Sequence, residues 1–480
     1  RQTIESKVDD LANSAASTGD PMFSARYVEG VESVTVEQVR QVAAKYLDRT
    51  RMTLVTIEPE GATPEAKPVI SGQPTVTKTA LANGATMLIG VEKQLPMAVV
   101  VAVMRGGVRA ETDANQGVSN LTANLLTKGT KGRNASEIAN YIESLGGLLE
   151  AFSGRDGFGV VLQVLSEDLD EGLSLVHELL TESTFPEDEL TLQKQLVLKE
   201  LEAREDDVFD VSSRLLRKTL FTSHPYRFDP LGQKDTVSKL TRKDCQDFTK
   251  KYVVPGNLVV AVFGDMDESS VREQVQREFG TMPKAEAPWP PSLPAETIER
   301  IREASVTLPK EQSVIMMGFR GTRVTAVDRD TVDVLTAILS GMSGRLFQSV
   351  REKLGLAYAL GASNVPGWDP GYLMVYAATR PNERAAVIAT VEQQLQLIAD
   401  EGVTDEELAL AKQYLIGSHR MDLQHLGGLA RRCALDELYG LGANAWTQYE
   451  VRINAVTSAM VQEAAGKYLR LPQRAQVIVG

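Results

Sequence analysis

A chain of 480 residues, 43% hydrophobic and 24% charged, is too long for one core and ordinary for a globular protein, so two or more domains are expected. The net charge of −13 disfavours nucleic acid as a partner and suits either plain solubility or a basic or unfolded peptide. No apolar run reaches the roughly 18 residues of a membrane-spanning helix, and the two cysteines, Cys245 and Cys433, make neither a disulfide framework nor a cysteine metal site.

The N-terminal residues Arg1 to Lys7 lack an apolar signal core. A helix capped by Thr35 then runs through Val39 to Lys45-Tyr46-Leu47, and a strand is expected at residues 52–57. The same signature recurs twice. Thr241, Cys245 and Lys251-Tyr252 precede a strand at 258–263, and Thr457, Val461 and Lys467-Tyr468-Leu469 precede one at 475–479. Repetition over so long a period marks homologous domains rather than a solenoid.

Residues 1–59 therefore read as the tail of an upstream homologous domain, and 60–73 as a linker. Two domains follow, 74–282 and 298–480, joined by a Pro- and Ala-rich connector at 283–297. In the first, Asn83-Gly84 signals a hairpin, and 97–104 is an apolar run typical of a buried strand. Helical periodicity follows at 118–126, 137–145, 169–180 and 187–204. The second opens with strands within 305–320 and continues with helices at 331–339, 343–352, 383–399 and 405–421. The expected fold is α+β, two homologous domains, each a mostly antiparallel sheet with helices packed on one side.

The segment from Gly117 to Thr130 carries the most chemical information. An inverted zinc motif, H-x-x-E-H, sets two imidazoles on one helix face with a carboxylate between them as base. Here those three places read Asn120, Ala123 and Asn124. A neutral amide is a poor zinc ligand, and alanine has no group to take a proton.

The frame rests on much more than these three residues. Lys128-Gly-Thr130, Glu143-Ser-Leu-Gly-Gly147 and Ala151-Phe-Ser-Gly-Arg155 follow the helix. Farther on come His224-Pro-Tyr226, Pro255-Gly-Asn257, Phe263-Gly-Asp265, Gly344-Arg-Leu-Phe347 and Arg351-Glu-Lys-Leu-Gly-Leu-Ala-Tyr358. Together they resemble the pitrilysin/insulinase family of zinc peptidases, which includes the mitochondrial processing peptidases. The resemblance covers nearly the whole chain.

In that family a third zinc ligand, a glutamate, lies on a later helix; the matching position is Glu200, with Gln193 where a second acidic residue usually assists. Glu200 also reads as one more charge on a solvated helix face, four residues before Arg204. Asn120 and Asn124 share a face and are able to form an amide pair. The resemblance further implies that Arg351 and Tyr358 reach the scissile region of a bound peptide. Arginine offers a planar fork of donors to carbonyls, and tyrosine a hydroxyl to an oxyanion. The alternative for this pair is a structural one, a turn held at Gly355. His224 and Tyr226 are expected to stiffen a turn, and the Ser340–Gly344 turn lacks the Lys-Ser/Thr of a phosphate loop.

The resemblance implies the catalytically vacant half of a zinc metallopeptidase. No cofactor is expected in this chain, and zinc is expected in a homologous partner half, an upstream part of the same polypeptide or a separate subunit. The other partner is a peptide substrate; neither nucleic acid nor a membrane span is expected. A structural or binding protein is the second reading, as in the core subunits of respiratory bc1 complexes. Tandem relatives of bacteria imply a periplasmic setting, with the cytoplasm as the alternative.

Overall fold

The computed structural model describes residues 4–47, 75–93, 95–289, 291–293, 296–341, 343–352 and 354–480. The strand expected at 52–57 and the linker at 60–73 lie outside them. Two compact units make up the chain, Arg1–Ser71 and Gly72–Gly480.

In the first unit three helices are described, α1 (Ile4–Thr18), α2 (Phe23–Glu32) and α3 (Val36–Tyr46). A capping box between Thr35 and Gln38 starts α3, and Lys45 sits in its last turn, where a cation meets the negative end of the helix dipole. No residue of α3 is buried.

The second unit is built on two sheets. The first has six strands: β1 (Val76–Ala80), β2 (Thr86–Val91), β3 (Met97–Arg105), β4 (Leu148–Ser153), β5 (Gly157–Leu165) and β6 (Leu258–Gly264). Their spatial order is β1-β2-β6-β3-β5-β4, antiparallel throughout except for the β2–β6 pair. The second has five: β7 (Arg302–Val306), β8 (Ser313–Arg320), β9 (Ala359–Val365), β10 (Tyr372–Thr379) and β11 (Ala475–Val479). It is ordered β7-β11-β8-β10-β9, parallel only between β7 and β11. In both sheets the strand after a Thr-capped helix, β6 or β11, is an interior one. The hairpin at Asn83-Gly84 joins β1 to β2. Asn83 is buried there, and its amide donates to the carbonyls of Phe279 (2.7 Å) and Met282 (3.1 Å).

Eight helices accompany the first sheet in sequence: α4 (Val118–Leu126), α5 (Ala135–Ser144), α6 (Leu169–Thr181), α7 (Glu187–Ala203), α8 (Val208–Leu220), α9 (Lys234–Val237), α10 (Arg242–Tyr252) and α11 (Glu268–Phe279). Six accompany the second: α12 (Arg329–Leu339), α13 (Arg384–Glu401), α14 (Asp405–Asp422), α15 (Leu426–Leu438), α16 (Tyr449–Ala455) and α17 (Ser458–Tyr468). The expected α-helix at 343–352 is instead a π-helical turn, Phe347–Glu352, which wraps the chain more widely and still buries Val350.

The near-continuous apolar runs of β3 and β6 have a direct cause: both faces of the first sheet are covered. Ala98, Val100, Ala102 and Met104 enter a core with α4, α6, α10 and α11. The alternate residues Val99, Val101 and Val103 enter a second core. That second core is closed by α15, which comes from the far end of the sequence and sets Leu429, Ala430, Cys433, Ala434 and Leu438 against β3 and β6. The second sheet is treated reciprocally. Its own helices cover Ile315, Met317 and Phe319, while α8, from the first half, brings Leu216 and Leu220 onto Val314, Met316 and Val477. Gly318 makes this approach possible, because a Cβ there would lie 2.8 Å from the Leu216 side chain. Each fully buried leucine or valine contributes about 1.5–3 kcal/mol, so the exchanged helices stitch the two sheets into one unit.

Candidate functional site

Helix α4 starts at Gly117, whose φ of +89° and 2.7 Å clearance to the Leu231 carbonyl leave room for glycine alone. A buried carboxylate caps the helix. Gly117 N–H donates to Glu111 Oε2 (2.9 Å) and Ser119 N–H to Glu111 Oε1 (3.0 Å). Burial pushes the Glu111 carboxyl up to about 8, opposed by those two backbone donors and reinforced by the negative charge of Asp229.

The apolar side of α4, including Val118, Leu121 and Leu125, packs into the main core. Asn120 and Asn124 share a half-buried face, and the Asn124 amide Nδ2 donates to Asn120 Oδ1 at 3.4 Å. Ala123 is completely buried. Glu200, on α7, faces outward and pairs with Arg204 at 2.5 Å, the i,i+4 ion pair read from the sequence. Gln193, also on α7, is buried. Two amides already hydrogen-bonded to each other, an alanine in the core and a carboxylate held by arginine do not fit zinc. Among the described residues no group of three or more His, Cys, Asp or Glu could hold a metal ion.

Three of the four histidines are occupied separately. His224 Nε2 lies 3.0 Å from Asp369 Oδ2, His419 Nε2 lies 3.3 Å from the Trp446 carbonyl, and His177 Nδ1 lies 3.9 Å from Glu278. The His224-Pro-Tyr226 turn is the centre of a buried network that sequence reasoning missed. Arg109 Nε pairs with Asp369 Oδ2 at 2.6 Å, and both side chains are fully buried. Ser292 Oγ and Leu293 N–H donate to Asp369 Oδ1 at 2.7 and 2.9 Å. Burial alone would raise the Asp369 carboxyl, yet hydrogen bonds from His224, Arg109 and Ser292 hold it well below the usual carboxylate range. Tyr226 donates its hydroxyl proton to Asp156 (2.6 Å), and Tyr439 donates to the other oxygen of Asp156 (3.1 Å). Arg109, Asp156 and Asp369 lie far apart in sequence, and no local pattern links them.

Arg351 and Tyr358 are brought together. The π-helical turn exposes Arg351, whose guanidinium lies 5.0 Å from the Phe347 ring centre and donates Nη1–H to the Tyr358 carbonyl at 3.0 Å. Gly355, at φ +63°, reverses the chain between them. Tyr358 hydrogen-bonds through its N–H to the Ala378 carbonyl (2.9 Å), just ahead of edge strand β9. Its ring is exposed, and its hydroxyl accepts from Arg380 Nε at 2.9 Å. Arg380 carried no signal in the sequence; the pairing of β9 with β10 is what places it there.

A peptidase fold is what comparison with known proteins returns. Residues 91–233 match the insulinase family model (peptidase family M16), and residues 239–415 match the model of the M16 inactive domain. An uncharacterized zinc protease of Streptomyces coelicolor is 32% identical over 370 residues, covering 76% of this chain and 81% of its own length. One from Bacillus subtilis is 29% identical, covering 71% and 83%. Among solved structures, a peptidase M16 inactive domain from Pseudomonas fluorescens superposes with a TM-score of 0.79 at 24% identity, covering 85% of this chain and 98% of its own. A protease from Helicobacter pylori gives 0.78 at 21%, with 85% and 99% covered. The chain belongs to the insulinase family of peptidases, M16, as a member without the H-x-x-E-H motif.

Proposed function

We propose that this chain is the catalytically vacant half of an insulinase-type zinc metalloendopeptidase. In this reading it closes a peptide chamber and presents Arg351 and Tyr358 to a substrate held by a zinc-bearing homologous half. The observation that carries the reading is a contrast. On α4 a neutral amide pair and a buried alanine stand where metal and base chemistry require charge. On the 347–358 turn, Arg351 and Tyr358 stay at the surface in fixed orientations. Zinc belongs to the partner half, and no step of hydrolysis runs through α4.

The chemistry left to this chain is binding. Arg351 commits one of its five N–H donors to the Tyr358 carbonyl and keeps the others for peptide carbonyls. Tyr358 accepts from Arg380, so its own proton remains free to be donated outward. The test is a quenched-peptide assay with added zinc. The chain alone should show no zinc-dependent hydrolysis, and robust activity from it overturns the proposal. Reconstituted with a zinc-bearing half, Arg351→Ala and Tyr358→Phe should each lower kcat/KM by about 10–1000-fold.

A purely structural or binding protein with the peptidase fold is the second reading. It is favoured by the fact that Arg351 and Tyr358 both find partners within the chain. Unchanged kcat and KM after both substitutions would select it.

A further inference from the structure

Helices α12, α14, α15 and α16 meet around charged side chains that the proposed function does not use. These line a cleft of about 440 Å³, within the size range of small-molecule sites. Two pairs of opposite charge face it. On α15, Arg432 Nε donates to Asp436 Oδ2 at 3.0 Å. On α12, Arg329 Nε lies 3.9 Å from Asp333 Oδ2, and Asn364 Nδ2 donates to Asp333 Oδ1 at 2.9 Å. The rings of His419, on α14, and Tyr449, on α16, pack with their centres 4.3 Å apart. Leu415, Leu435, Val324 and Pro366 supply the apolar part of the wall.

Three of these side chains are nine-tenths buried or more, and each still holds a polar atom with no hydrogen-bond partner among the described residues. They are Asp436 (5% exposed), His419 (8%) and Tyr449 (9%). Asp436 keeps Oδ1 as an acceptor. Burial, and after it the Arg432 charge, lowers the His419 ring below its ordinary value, so it is neutral. Its Nε2–H donates to the Trp446 carbonyl, which leaves a lone pair on Nδ1. Burial and the charges of Asp333 and Asp330 push the Tyr449 hydroxyl up to about 12, so it stays a donor. Arg432 commits one donor to Asp436 and keeps those of its two terminal nitrogens. Buried donors and acceptors that the fold leaves unsatisfied side by side call for a partner from outside.

We infer that this cleft is a binding site for a free α-amino acid with an apolar side chain. The balance of charge selects a zwitterion. A bare cation would face two guanidinium groups and a bare anion two carboxylates, whereas a molecule carrying both an ammonium and a carboxylate meets each. Arg432 and Tyr449 take the carboxylate, Asp436 and His419 Nδ1 take the ammonium, and the side chain lies on Leu415 and Leu435. None of these residues lies on α4 or on the 347–358 turn, so the inference is independent of the proposed peptidase role.

The test is equilibrium dialysis of the full 480-residue chain against labelled L-leucine, in competition with isocaproate, which lacks the amino group, and isoamylamine, which lacks the carboxylate. L-Leucine should bind, and each analogue should compete at least about 10-fold more weakly. If neither L-leucine nor L-phenylalanine is retained at millimolar concentration, the cleft holds water only and the inference is overturned. An analogue that binds as tightly as the amino acid overturns it too. Tyr449→Phe removes one hydroxyl and should weaken L-leucine about 5–10-fold. Asp436→Asn should bring L-leucine and isocaproate within about 3-fold of each other, a change of selectivity that loosening of the fold does not produce. Unchanged affinity in Tyr449→Phe overturns the site, even where Asp436→Asn fails to fold.

Discussion

Arg109 and Asp369 form an ion pair with no solvent exposure on either side chain, 260 residues apart in sequence and 2.6 Å apart in space. One lies just after β3 and the other just before β10, so the pair joins the two halves of the 72–480 unit. His224, Ser292 and the backbone of Leu293 complete the solvation of the carboxylate. Removing Asp369 leaves the buried Arg109 guanidinium without its counter-charge, though Nη2 still donates to the Pro291 carbonyl at 2.8 Å. Asp369→Ala is expected to cost about 3–5 kcal/mol, read from urea denaturation, and an Arg109→Met/Asp369→Leu double variant should cost less than either single removal.

The α8 crossing gives a packing prediction. Leu216 is fully buried against the second sheet beside Gly318. Leu216→Ala should destabilise by about 2–5 kcal/mol through the cavity it leaves. Gly318→Val should cost about 1–3 kcal/mol by pushing the helix outward, and limited proteolysis should then cut at residues flanking α8.

Glu111 supplies a pH dependence whose sign is set by burial. Its folded carboxyl titrates at about 8, against about 4.5 when unfolded. The folded state therefore binds the extra proton between those values, and its contribution is fully present below about 4.5 and lost as pH rises through about 8. Glu111→Gln removes the slope. Unfolding free energies at pH 5, 7 and 9 should show the Gln variant gaining on wild type with rising pH, by up to about 4 kcal/mol in total.

Rebuilding the metal motif in α4 should fail on structural grounds. Ala123 has no exposure, so Ala123→Glu places a carboxylate in the core, at a cost of several kcal/mol and a fall in Tm. Asn120→His and Asn124→His fall on the half-buried face and should be better tolerated than Ala123→Glu. The triple variant should remain less stable than that pair even with zinc present, as thermal unfolding with and without the metal would show.

Much of this architecture is legible in the sequence because it is local. The helices at 118–126, 169–180 and 405–421 lie within a residue of α4, α6 and α14, since a local apolar periodicity defines each and a Thr404–Glu407 capping box starts the last. The amide pair on α4 follows from i,i+4 spacing. What sequence could not supply is long-range. Helices α8 and α15 escaped because their covered faces meet sheets belonging to the other half, and Gly427-Gly428 weakens the helical signal of α15. Arg380, Arg109 and Asp369 escaped for the same reason: strand pairing and tertiary closure bring them to their partners, and no spacing records it.

The exchanged helices also govern how such a chain is made. The first sheet is finished as hydrogen-bonded strands once β6 emerges, yet the cover for Val99, Val101 and Val103 is α15, which ends at Leu438. During synthesis that apolar sheet face stays wet while nearly 180 further residues are added, at about 5–20 residues per second. Over that interval the nascent polypeptide carries an open apolar sheet face, and a ribosome stalled before α15 would release an aggregation-prone product.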